Sequence, residues 1–141
     1  MKKIISIAFL TFLLFTNFCF ADTVTYTRYL NDLVKVNHDL KLLSKELVQL
    51  SDDNHENCIK NVEYIMKTTD SLQKNIVTTY NNTADLEEQH KLLYLIYINT
   101  VYSISIKEAR WYLDKPTDIN HLIKMLSSQR TGDMILLDIK E

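Results

Sequence analysis

Apolar residues recur along this chain at spacings of three and four, and one segment carries them on more than one face. From Leu92 to Ile106 the sequence reads LLYLIYINTVYSISI, with no charge, glycine or proline. Leu92, Leu95, Asn99, Tyr102, Ile106, Ala109 and Leu113 form one helical stripe, and Leu93, Tyr97, Val101 and Ile104 form a second. A helix apolar on two faces is expected at the centre of a bundle, covered on both sides. Its uncharged run falls short of the ~20 residues a membrane span needs. The segment from Leu86 to Leu113 is therefore read as the core helix around which the others pack.

A more regular repeat precedes it. Tyr26, Tyr29, Leu33, Val36, Leu40, Leu43, Leu47 and Leu50 predict a first helix from about Thr23 to Leu50, with the three-four spacing of a coiled coil. Leu30, Val34, Leu42 and Val48 widen that seam, which suits a bundle better than a two-stranded coil. Cys58, Val62, Ile65, Thr69, Leu72, Ile76 and Tyr80 predict a second helix. Ile119, Leu122, Ile123, Met125 and Leu126 predict a shorter fourth. One glycine and one proline are too few turn formers for a β-protein.

The joints between these repeats are polar. Asp53 followed by Glu56 resembles a capping box opening helix two, and Asn82 or Thr83 is placed to cap helix three. Pro116 closes helix three, Thr117 or Asp118 can cap helix four, and Gly132 is expected as the C-cap of helix four. Met134 to Ile139 would then be an apolar tail, either a short fifth helix or an extended segment. The expected fold is all-α: an antiparallel helical bundle of three long helices with a shorter fourth helix and an apolar C-terminal tail. A fourth helix of about 20 Å cannot cover a third helix of roughly 40 Å. Either the tail folds back over the bare part, or that part is an interface.

Composition matters most at the N-terminus. Lys2 and Lys3 precede an almost wholly apolar run from Ile4 to Phe18, and Cys19-Phe20-Ala21 follows. This is the pattern of a signal peptide cleaved after Ala21, leaving residues 22–141 as a single helical domain in the periplasm or secreted, with no stable membrane span. The formal net charge of −2 becomes −4 once Lys2 and Lys3 leave with the leader. Mild acidity without a basic stripe argues against nucleic acid as a partner. Cys58 is then the only cysteine, so no internal disulfide forms and stability must come from packing. Its place on an apolar seam predicts burial.

Few residues suggest chemistry. In an up-down bundle the starts of helices two and four share an end, which makes His55, Asp53, His121 and Asp118 weak candidates for a zinc or copper site. Glu87-x-x-His90 has the spacing of carboxylate-bridged di-iron bundles, but such sites need a second motif and two further glutamates. Acidic residues at helix starts are already explained by the helix dipole. No serine has a Gly-x-Ser-x-Gly context, a single glycine excludes phosphate loops, and Cys58 with His55 one turn before it has no oxyanion site. No cofactor and no enzymatic activity are expected.

What remains is surface. Arg110, Trp111 and Tyr112 have the composition of a binding hot spot. Asn99, within an apolar seam, fixes register or contributes a polar contact to a groove walled by Tyr97 and Tyr102. These six are the candidate partner-binding residues. The expected function is that of an exported protein-binding module, such as an inhibitor, immunity protein, chaperone or envelope assembly factor. Its partner would be another envelope or secreted protein, or itself as a homo-oligomer. The alternative is a bundle that binds a small ligand or metal, marked by His55, His121 and Asn99.

Overall fold

The computed structural model describes the backbone of residues 2–139 and the side chains of residues 25–139. Four helices account for nearly all of it: α1 (Lys2–Val48), α2 (Asp52–Asn82), α3 (Leu86–Asp114) and α4 (Ile119–Asp138). They run up-down-up-down. Tyr29 meets Thr79 across α1 and α2, Asn99 meets Thr69 across α2 and α3, and Ser105 meets Met125 across α3 and α4. α3 packs on all three of the others, α4 lies against α3 and more lightly against α1, and α2 and α4 do not touch. The leader expected over residues 1–21 falls within the part of α1 whose side chains lie outside the described residues.

The three-four repeats are the core. Tyr29, Leu33, Val36, Leu40, Leu43 and Leu47 of α1 are buried against Cys58, Val62, Ile65, Leu72 and Ile76 of α2 and against Leu92, Leu95, Tyr102, Ile106, Ala109 and Leu113 of α3. Leu122, Met125 and Leu136 add the α4 side. Each buried aliphatic side chain contributes about 1.5–3 kcal/mol, and with no disulfide among the described residues this burial holds the bundle together.

Buried polar groups tie the helices in register. Asn37 Nδ2 donates to Tyr102 Oη at 2.9 Å, Tyr102 Oη donates to Asp133 Oδ1 at 3.1 Å, and Lys41 Nζ lies 3.1 Å from Asp133 Oδ2. That chain joins α1, α3 and α4. Ser44 Oγ bonds Gln129 Oε1 one layer away. Burial, reinforced by the negative charge of Asp133, raises the Tyr102 hydroxyl well above the usual phenol range, so it stays a neutral donor.

The end of the chain differs from expectation. α4 does not stop at Gly132 but continues to Asp138, and the apolar tail is its last two turns rather than a separate element. Gly132 is a packing residue: a Cβ placed there would lie 2.8 Å from Tyr102 Cδ1, closer than real contacts allow, so only glycine lets the tyrosine ring seat against α4. Two caps also fall on other residues. Ser51 caps α2, its N–H donating to Asn54 Oδ1 at 2.8 Å, where Asp53 and Glu56 were expected. Asp85 caps α3 by accepting from the Glu87 N–H at 2.9 Å, where Asn82 or Thr83 were expected. Asp118 caps α4 as anticipated, accepting from the Asn120 N–H.

Candidate functional site

A central helix with two apolar faces was expected to be covered on both. α3 is central, but its second face is largely bare. Residues contacting α2 (Asn99, Arg110) and α4 (Ser105, Glu108) sit on nearly opposite sides of the helix, and Tyr102, which reaches α1, lies between them. Advancing 100° per residue, the side opposite Tyr102 carries Leu86, His90, Leu93, Tyr97, Thr100, Ile104, Lys107 and Trp111. All eight are exposed. Leu86 is 72% exposed, and Leu93, Tyr97, Ile104 and Trp111 are between 43% and 53% exposed. Among the described residues, α2, α3 and α4 thus form a layer with α1 on one side and no helix on the other.

The length of α4 explains one edge of this face. Tyr94 and Val101 are seven residues apart on the side of α3 turned toward α4, yet Tyr94 is 56% exposed and Val101 only 8%. At 1.5 Å per residue the 20 residues of α4 span about 30 Å and the 29 of α3 about 44 Å. The extended α4 covers α3 over its C-terminal two thirds and leaves the turns around Leu86, Leu93 and Tyr94 open.

The six candidate binding residues separate accordingly. Tyr97 and Trp111 lie on the outer face. Asn99 is fully buried, its Nδ2 donating to the Thr69 carbonyl at 2.9 Å and to Gln73 Oε1 at 2.8 Å, a strut between α3 and α2. Tyr102 is fully buried in the polar chain described above. Arg110 turns to α2 and to its own last turn, 3.9 Å from Glu63 and 3.4 Å from Asp114, and Tyr112 is half-buried against the core. Three consecutive helical residues point 100° apart, so Arg110, Trp111 and Tyr112 form no common patch. Leu86, Leu93 and Ile104 had not been singled out for binding. Their seven- and four-residue spacing to Tyr97 and Trp111 is the signal that marks them.

His55 and His121 are engaged within the bundle. His55 Nε2 lies 3.0 Å from the Leu113 carbonyl. His121 Nδ1 lies 2.7 Å from Glu108 Oε2, and its ring tilts against Trp111 at 5.5 Å. Asp53 is exposed, and Asp118 Oδ2 is 3.9 Å from His121 Nε2. Among the described residues no three His, Cys, Asp or Glu side chains gather as a metal set. Glu87 pairs with Lys91 at 2.6 Å, and His90 is exposed.

Grooves flank α1. One of about 500 Å³ runs between α1 and α2, lined by Asp32, Lys35, Asp39, Tyr64 and Lys67, and one of about 290 Å³ runs between α1 and α4, lined by Val34, His38, Lys41, Asp133 and Leu137. His55, His121 and Asn99 line neither. Among the described residues no helix is long and apolar enough to cross a membrane. Comparison with protein-family models, with curated proteins and with solved structures finds no match to this chain.

Proposed function

We propose that this chain is an exported protein-binding module of the envelope, acting as an inhibitor, immunity protein, chaperone or assembly factor, and that it binds through the outer face of α3. The observation that carries the reading is the row Leu86, Leu93, Tyr97, Ile104 and Trp111, exposed along one side of the central helix. A seam of this spacing is what one helix presents to another, and so many large apolar side chains exposed along one helix face mark an interaction site. Aromatic anchors at Tyr97 and Trp111 suit a hot spot, because large rigid rings lose little entropy when buried by a partner. The leader-like N-terminus supports export.

Replacing Tyr97 and Trp111 with alanine tests this. Both side chains are half exposed, so helicity and melting temperature should stay close to those of the parent. Affinity capture from an envelope extract should weaken by ~30-fold or more per anchor, the effect of losing about 2 kcal/mol at a hot spot. Unchanged capture would contradict the assignment.

A further inference from the structure

We propose that the occupant of the outer face of α3 is a second copy of this chain, packed antiparallel, α3 against α3, about a two-fold axis passing between Ile98 and Asn99. This rests on the reading of that face as a docking surface and names its partner.

The seam pairs with itself when reversed. Leu86 meets the partner's Trp111, His90 meets the partner's Lys107, Leu93 meets the partner's Ile104, and Tyr97 meets the partner's Thr100. Each of the two large rings faces a smaller side chain, which lets the layers interdigitate. A parallel pairing would instead set Trp111 on the partner's Trp111 and Lys107 on the partner's Lys107, placing like charges in the seam. Reversal also opposes the two helix dipoles, setting the acidic first turn of α3 beside the C-terminal half of the partner helix.

The area is sufficient. The exposed parts of Leu86, Leu93, Tyr97, Ile104 and Trp111 amount to roughly 500 Å² per protomer, taking about 200 Å² for a whole aromatic side chain, and exposed His90, Thr100 and Lys107 add to the same face. A pair would then bury about 1,200 Å², above the ~1,000 Å² that separates specific interfaces from incidental ones. With a formal net charge of −2, or −4 once Lys2 and Lys3 are removed, two copies repel each other little. The geometry agrees: α2, α3 and α4 form a layer covered by α1 on one side, and a copy of the same layer covers the other.

Sedimentation velocity on the chain as its cell exports and processes it, at micromolar concentration, should give the mass of a dimer. Leu93→Cys mixed with Ile104→Cys should cross-link on mild oxidation, whereas Leu93→Cys alone should not, since the two copies of residue 93 lie about 16 Å apart along the seam. Buried Cys58 leaves the background low. Leu93→Glu and Ile104→Lys should each be monomeric with helicity unchanged, the pairing at least ~100-fold weaker, and mixing them should restore a dimer.

A monomer for the unaltered chain overturns the proposal, and so does a dimer in which Leu93→Cys cross-links to itself. If the chain is monomeric while the Tyr97 and Trp111 variants still lose a captured protein, the docking face stands and self-pairing falls. If it is monomeric and capture is unaffected, both fall.

Discussion

At the scale of single residues, Gly132 and Tyr102 form a matched pair. The Tyr102 ring is held by Asn37 and Asp133 at its hydroxyl, so it has no freedom to swing away from an added methyl group. Gly132→Ala gains about 1 kcal/mol of helix propensity but forces overpacking that costs about 1–3 kcal/mol. The net effect should be a lower denaturant midpoint, the reverse of what glycine replacement in an exposed helix gives. Tyr102→Phe should cost about 1–3 kcal/mol by the same measurement, because it leaves the Asn37 amide and the Asp133 carboxylate without a shared partner. Cys58 is fully buried, and burial followed by the charge of Glu46 pushes its thiol up. Maleimide should label it far more slowly in the native protein than in denaturant, and equal rates would place it on the surface.

At the scale of elements, Asp118 links pH to the stability of α4. Its side chain accepts from the Asn120 side chain and N–H, which holds the carboxyl below the usual range. A carboxylate with a depressed value in the fold adds stability above its unfolded value, and the contribution is lost as pH falls through the folded value. Asp118→Ala should therefore be less stable than the parent at neutral pH, and the gap should narrow as pH falls through the folded value of Asp118. Asp118→Asn, which keeps the cap but cannot ionise, should show no such convergence.

The helices themselves were legible because the buried apolar positions of α1, the buried positions of α2 and the inner seam of α3 follow three-four spacing, Thr69 and Asn99 included. The ends were less so. Asp53 with Glu56 and Ser51 with Asn54 are two capping patterns offset by two residues, and only the chain path from α1 selects between them. Gly132 reads as a helix end because nothing in a one-dimensional pattern reveals the ring opposite it. Arg110, Trp111 and Tyr112 are adjacent in sequence but diverge around the helix, so their apparent cluster dissolves in three dimensions.

At the scale of the molecule, the feature that matters most is an imbalance. α3 carries two seams of equal regularity, and the fold supplies neighbours for one of them. Periodicity finds both seams but does not say which is covered, since that depends on how many helices the chain has and on how far α4 reaches. Four helices suffice to enclose the inner seam and one edge of the outer one, where Val101 is buried and Tyr94 is not. The remaining apolar row is the one we propose as the binding surface.

The most direct test places a photo-crosslinking side chain at Tyr97 in the chain as expressed in its own cells, and another at Tyr64 of α2. Tyr64 is exposed to a similar extent but lies away from the outer face of α3. Irradiation should yield a discrete adduct from position 97 and none from position 64. No adduct at 97, or the same adduct from both positions, would contradict the assignment of this face as the binding surface.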